Sequence, residues 1–218
     1  LMAASQAAAA PGYTAQPFQP TKTAKTFLAE SWDRDIPELV GKAIDGIAHR
    51  HAKTLGSSHR ADACEFATEL RDGDLVFVDP PYSGVHYSRF YHVLESIAEG
   101  QTTAVSGVGR YPAQEKRPRS DFSMKTTSAI AMENLLKTLA ERKTDVILTF
   151  PDHDCSNGLS GDQITDLAST HFHVEKKSVH SVFSTLGGVS KDQEPEELEG
   201  KRTARQSAQE LMLLLRSM

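Results

Sequence analysis

The stretch that decides the fold of this chain is LVFVDPPYSG, which occupies residues 75–84. Four apolar residues lead directly into an aspartate, two prolines and a tyrosine. Unbroken apolar character over 75–78 predicts a strand buried on both faces, as in a parallel sheet that is flanked by helices. Because prolines have no N–H to donate to a sheet, Pro80 and Pro81 should end this strand and stiffen the loop that follows.

Apolar periodicity on both sides of that strand predicts the other elements. Helices are expected over 31–51, 88–99, 122–142 and 162–170, a helical turn over 65–70, further strands over 60–64, 145–150, 172–184 and 209–215, and a charged loop over 191–205. In the 122–142 helix, the inward side chains should be Ile130, Leu135, Leu136 and Leu139. This order predicts an α/β fold whose sheet is mostly parallel, with an antiparallel strand near its end.

The loops that follow 75–78 and 145–150 should share one crevice, because ligands of open α/β sheets bind beyond the carboxyl ends of the strands. Ser156 and Asn157 are expected there as substrate contacts. The neighbouring Asp152, His153 and Asp154 have the side chains of a metal site. Adjacent residues rarely chelate one ion well, so no metal is predicted.

The composition is that of an ordinary globular protein. The chain has 218 residues, 39% hydrophobic and 24% charged, which suffices for one domain with its own core. We expect an extended arm over 1–30 and the folded domain over 31–218. There is neither a membrane-length apolar run nor a signal peptide, and two widely spaced cysteines fit a reduced, cytoplasmic protein.

The formal net charge of −5 is unlike that of a general nucleic-acid binder, but the charge is unevenly distributed. Between residues 106 and 125, five basic residues stand against two acidic ones. The basic residues are Arg110, Lys116, Arg117, Arg119 and Lys125. A solvated loop is the simple interpretation of this basic segment, and a loop that contacts phosphates is the alternative.

The chemistry of 79–84 suits a planar substrate with an exocyclic amino group. The carboxylate of Asp79 and the rigid carbonyls of the two prolines are acceptors for N–H groups, and the ring of Tyr82 can stack on a planar face. A strand-ending turn with a surface aspartate is the alternative. The helix that follows is rich in aromatic residues, and Tyr87 and Tyr91 do not fit its buried face.

The segment DPPYSGVHYSRFYHVLE, residues 79–95, resembles the catalytic motif and following helix of the D12-class (Dam-like) adenine-specific DNA methyltransferases. DVILTFPDHDCSNG, VHSVFST and QELMLLLR resemble the later strands of that family. The resemblance covers roughly 60–216 and is strongest over 74–97. It implies a Rossmann-like, S-adenosylmethionine-dependent sheet and double-stranded DNA as the partner.

The resemblance also implies roles for single residues. Asp79 and the carbonyl of Pro80 would hold the amino group of the target adenine, Pro81 would shape the loop, and Tyr82 would stack on the base. That base must be flipped out of the duplex. Tyr87 and the five basic residues Arg110, Lys116, Arg117, Arg119 and Lys125 would then contact DNA.

One part of the family pattern is missing. The family opens with a strand and a Phe-x-Gly-x-Gly loop around the cofactor, and no such motif precedes LVFV here. We therefore expect a sheet that is incomplete on its N-terminal side, with the 75–78 strand at an edge, in the C-terminal part of a longer enzyme. Asp62 is the candidate cofactor contact, or else a helix N-cap. Alternative functions are amino methylation of RNA bases and a catalytically silent DNA-binding module.

Overall fold

The computed structural model describes residues 35–101, 104–106, 111–184 and 205–218. In chain order the helices are α1 (Ile36–Ala48), α2 (Ala63–Ala67), α3 (Ser88–Glu99), α4 (Ser128–Glu141) and α5 (Gly161–Ser169). The strands are β1 (Leu75–Val78), β2 (Val105–Ser106), β3 (Tyr111–Pro112), β4 (Asp145–Pro151), β5 (Phe172–Ser184) and β6 (Arg205–Ser217). The arm predicted over 1–30 and most of the loop predicted over 191–205 lie outside the described residues.

The chain divides into two compact units. The second unit comprises 59–86, 119–182 and 207–218, and it contains α2, α4, α5 and most of a four-stranded sheet. The first unit takes its described residues from 35–58, 87–118 and the chain around 183–206. It contains α1, α3 and the short antiparallel pair β2 and β3, and α3 packs against β3.

The sheet has the strand order β1-β4-β6-β5. β1 runs parallel to β4, with Val78 opposite Leu148, and β6 runs antiparallel to β4, with Leu213 opposite Leu148. The predicted α/β sheet and its late antiparallel strand are therefore confirmed, whereas the expectation of a mostly parallel sheet is not met by these two pairings, of which one is parallel and one antiparallel. β1 is the edge strand of the described sheet.

Side chains alternate between the two faces of these strands, and one face carries the core. On β4 and β6 the core residues are Val146, Leu148, Phe150, Leu211, Leu213 and Leu215, each no more than 1% exposed. Leu135, Leu136 and Leu139 of α4, Ile164 of α5 and Ala67 of α2 belong to the same cluster. We call this the covered face of the sheet.

The opposite face, which we call the open face, corrects one prediction. β1 is not buried on both sides, because Leu75 is 68% and Phe77 is 64% exposed. Their neighbours Val76 and Val78 point to the covered face, where α2 and α4 lie. Since an edge strand has a neighbour on one side only, its open-face side chains are shielded only from the β4 side. Ile130 was also predicted inward, and it is 63% exposed because it lies off the buried stripe of α4.

Local capping corrects several boundaries. The strand predicted over 60–64 is wrong, because the Asp62 carboxylate caps α2 at that point. α1 begins after the N-cap Asp35, and Ser31, the predicted start, lies outside the described residues. The helix predicted over 122–142 is divided into a 3-10 turn (Asp121–Ser123) and α4. The bounds of α3 agree with the prediction, and Gly100 ends that helix with φ 66°.

Every helix within the described ranges is too short or too polar to cross a membrane.

Candidate functional site

The loops after β1 and β4 meet, as the parallel pairing of these strands requires. We call them the 79–84 loop and the 152–160 loop. The Thr149 hydroxyl on β4 donates a hydrogen bond of 3.1 Å to Oδ1 of Asp79. The Gly84 N–H donates one of 2.9 Å to Oγ of Ser156. The two loops thus meet at the carboxyl ends of their strands, as predicted, but residues of the 152–160 loop line neither of the two cavities described below, so a crevice shared by both loops stays a prediction.

Asn157 is the central contact between the two loops. Its Nδ2 donates to the carbonyl of Pro81 at 2.9 Å and to the carbonyl of Phe122 at 3.0 Å. Its Oδ1 accepts from the Leu159 N–H at 3.2 Å. The side chain is fully buried, so the expectation that Asn157 contacts substrate is wrong. An asparagine in a polar loop gives no signal in the sequence of such a structural role.

The 79–84 loop presents a mixture of buried and exposed groups. Pro80 is buried and Pro81 is half-buried, whereas Asp79 is exposed and Tyr82 is 45% exposed. Gly84 passes so close to the other loop that an added Cβ would lie 2.9 Å from the Ser156 carbonyl oxygen. The carboxylate of Asp79 and the ring of Tyr82 are therefore at the surface, whereas the backbone of their loop packs against the 152–160 loop.

Two cavities adjoin this loop, both within the second unit. A mainly apolar cavity of about 350 Å³ lies under Asp79, Pro80 and Pro81, against Phe66 of α2. A larger, polar cavity of about 830 Å³ is lined by Arg60, Asp62, Arg119, Asp121 and Asn134. Three residues line both cavities, namely Ala63, Pro81 and Phe122. The strand end thus separates an apolar space from a charged one.

Asp62 lies in the wall of the polar cavity and caps α2 at the same time. Its Oδ1 accepts from the N–H groups of Cys64 at 2.9 Å and Glu65 at 3.2 Å. The helix-cap interpretation of this residue is therefore observed. A carboxylate has a second oxygen, so the cap does not use up its capacity to accept.

The residues predicted to contact DNA are divided between the units. Tyr87, 39% exposed, makes an edge contact with Tyr91 at 5.3 Å in the first unit, where Lys116 is also exposed. Arg117 of that unit donates from Nε to the Pro112 carbonyl at 2.6 Å. In the second unit, Arg119 lines the polar cavity and Lys125 packs against Gly158. Arg110 lies outside the described residues.

Neither Cys64 nor Cys155 has the lowered pKa of an activated, nucleophilic thiol. Burial, and then the negative charge of Asp154, raises the pKa of the Cys155 thiol to about 11. Burial also raises the pKa of Cys64, with smaller contributions from Asp62 and Asp121. Thiols with raised pKa values are protonated at neutral pH and react slowly. Within the described ranges, no three His, Cys, Asp or Glu side chains gather in a way that could hold a metal ion.

Comparison with known proteins finds two modification methylases. The chain is 28% identical over 89 residues to Modification methylase StsI of Streptococcus sanguinis, which covers 41% of this chain and 13% of that protein. It is 31% identical over 97 residues to Modification methylase LlaI of Lactococcus lactis subsp. lactis, which covers 44% of this chain and 14% of that protein. The chain thus spans about a seventh of the length of these relatives. No protein-family model and no solved structure matches it.

Proposed function

We propose that this chain is the catalytic part of an adenine-specific DNA methyltransferase similar to the D12 class. The observation that carries the proposal is the exposed carboxylate of Asp79, oriented by Thr149 and followed by the half-exposed ring of Tyr82. The two relatives that are named modification methylases support the same class of reaction.

The first four residues of the 79–84 loop each have a task in this reaction. Asp79 and the carbonyl of Pro80 accept the two N–H bonds of the adenine amino group and hold its nitrogen in a fixed position. Tyr82 stacks on the extruded base and offsets part of the unstacking cost, which is about a few kcal/mol. Pro81 fixes the backbone angle between them. Tyr87 and the basic residues from Arg110 to Lys125 contact the DNA around that base.

S-adenosylmethionine would supply an electrophilic methyl group to the amino nitrogen. The polar cavity fits the adenosine end of this cofactor, because the Asp62 and Asp121 carboxylates can accept from hydroxyl and amino groups beside the Phe122 ring. Neither cavity is lined by a glycine that would let the backbone approach the methionine end. We therefore assign residues 31–218 to the C-terminal part of a catalytic domain, completed by an upstream half of the same enzyme.

The experiment is methyl transfer from methyl-labelled S-adenosylmethionine to unmethylated duplex DNA, followed by identification of the labelled nucleoside. Label in N6-methyladenine is expected, and Asp79→Ala should abolish it. Asp166→Ala is the matched control, because this exposed aspartate lies on α5 outside both cavities. The assay should be run on the 218-residue chain and on a longer protein that supplies the upstream half.

Three results would redirect the proposal. Label in another nucleoside would change the base specificity, and preferential labelling of RNA in competition would favour the RNA methyltransferase. DNA binding without transfer, even with the upstream half present, would favour the silent binding module.

A further inference from the structure

The 79–84 loop is attached to β4 and its following loop at three points. Thr149 donates to the carboxylate of Asp79, Asn157 donates to the carbonyl of Pro81, and Ser156 accepts from the N–H of Gly84. Each contact comes from residues 149–157, which lie about 70 positions further along the chain. The three contacts span the loop from its first residue to its last.

The two prolines explain why one of these contacts has to be a donor to a backbone carbonyl. Pro80 and Pro81 have no N–H, so the backbone at these positions can be anchored only through its carbonyls. A primary amide carries two N–H donors on one nitrogen. Asn157 directs both of them to carbonyls, one in the 79–84 loop and one at Phe122, and so connects the loop to the wall that both cavities share.

Asn157 is itself held by a tight turn. The N–H of Cys155 donates to the Leu159 carbonyl at 2.8 Å, and the Ser128 hydroxyl donates to the Asn157 carbonyl at 2.8 Å. Gly158 has φ 91°, and an added Cβ would lie 2.7 Å from Cγ of Lys125. Leu159, 2% exposed, anchors the turn in the core. The side-chain amide of Asn157 is therefore held in place by a hydrogen-bonded turn that is anchored in the core.

Thr149 acts on the side chain of Asp79. Its hydroxyl donates to one carboxylate oxygen and so restricts rotation of the carboxylate, while the second oxygen can accept from a substrate. A short polar side chain on a strand carries no such signal in the sequence, because its partner is 70 residues away.

We propose that Thr149, Ser156 and Asn157 are positioning residues, which hold the 79–84 loop in the conformation that the reaction needs. This inference rests on the proposed function for its role in catalysis, and on the three contacts alone for its structural part. Positioning residues do not touch the substrate, so they should affect the rate of the chemical step and not DNA binding.

The first test is Thr149→Val, which removes the hydroxyl and keeps the shape. By NMR, the Hα–Hβ couplings of Asp79 should change from those of one rotamer to averaged values, and Thr149→Ser should restore them. Thr138→Val is the matched control, because this threonine donates to a helix carbonyl on α4 instead. An Asp79 side chain that is equally ordered in Thr149→Val and in the unaltered chain would overturn the role of Thr149.

The second test is Ser156→Ala, which removes the acceptor of the Gly84 N–H at an exposed position. Hydrogen exchange of that amide should become about tenfold faster, by the opening of one hydrogen bond. The amide of Leu159, held by Asn157, serves as an internal reference that should not change. Equal exchange of Gly84 before and after the substitution would contradict the proposal.

The third test is catalysis itself. Thr149→Val should lower kcat about tenfold with KM for DNA unchanged, and Thr149→Ser should recover most of the rate. If the unaltered protein transfers no methyl group, the proposed function fails, while the NMR and exchange results still decide the structural inference. If it transfers and Thr149→Val is equally fast, the positioning role is overturned and the proposed function stands.

Discussion

Phe150 and Phe77 lie on neighbouring strands of one sheet, yet they have opposite environments. Phe150 points to the covered face and is 1% exposed, whereas Phe77 points to the open face and is 64% exposed. Across the sheet, Val78, Leu148 and Leu213 form a row on the covered face, and Phe77, Ile147 and Leu214 form the corresponding row on the open face. The comparison shows that apolar sequence marks a strand but does not decide how many of its faces are covered.

The covered face also explains how the 79–84 loop is held in place although β1 is an edge strand. α2, α4 and α5 pack on that face, and the 152–160 loop is anchored to it through Leu159. The 79–84 loop is attached to the same loop by Ser156 and Asn157. The conformation of the 79–84 loop is thus stabilised by contacts that lead to the covered face, and the open face contributes little to it.

The largest effect should come from Phe150→Ala. Removing a fully buried phenylalanine leaves a cavity, so the free energy of unfolding of the second unit should fall by about 3–5 kcal/mol. Urea denaturation followed by circular dichroism measures it. A loss below about 1 kcal/mol would mean that the covered face is not a packed core.

A smaller effect is expected from Ile164→Val on α5, where the side chain is completely buried against the same cluster. Deleting one buried methylene should cost about 1 kcal/mol. The same denaturation experiment applies, with Ile130→Val, on the exposed side of α4, as the control that should leave the stability unchanged. Equal losses of stability in Ile164→Val and Ile130→Val would contradict the difference in burial between these two side chains.

Phe77→Ala should change the free energy of unfolding by less than about 1 kcal/mol, because most of the side chain is already in contact with solvent. An exposed, apolar edge strand tends to pair with other chains. The substitution should therefore reduce self-association, which sedimentation velocity at several concentrations can measure. A loss comparable to that of Phe150→Ala would show that the open face is covered in solution.

The margin of the covered face can be tested chemically through Cys155, which is partly buried there and whose pKa is raised by burial to about 11. The folded thiol keeps its proton where an ordinary thiol, with a pKa of 9.0, has lost it. Alkylation by iodoacetamide at pH 8 should therefore be about a hundredfold slower in the folded than in the unfolded chain. Rapid alkylation of the folded protein would contradict this.

The raised pKa of Cys155 also predicts the direction in which the stability of the fold changes with pH. Between pH 9 and 11 the Cys155 thiol has lost its proton in the unfolded chain and retains it in the folded chain. The free energy of unfolding should therefore fall as pH rises through this range, and Cys155 should have no effect on it below pH 9. Melting temperatures at pH 8 and pH 10.5 should therefore differ less in Cys155→Ala than in the unaltered chain.

Local patterns determined much of the fold. The apolar runs of β1, β4 and β6 and the 3.6-residue period of α3 and α5 are properties of neighbouring residues, and the sequence therefore predicted these elements to within a few positions. It also predicted that the loops after two strands would meet, because parallel strands place their carboxyl ends at one edge. The 79–84 loop could be proposed as a site for the same reason, since the residues proposed to act there are consecutive in the sequence.

Tertiary structure alone decided the rest, because the decisive contacts join residues that are far apart in the chain. Leu75 and Phe77 are exposed because the helices occupy the other face of the sheet. The sequence of the strand would be the same if helices covered both faces, so it cannot predict this exposure. Asn157 was expected to meet substrate, and instead it holds the carbonyls of Pro81 and Phe122, 76 and 35 residues away. A side chain's hydrogen-bonding partner is fixed only when the chain has folded, and no local pattern records it.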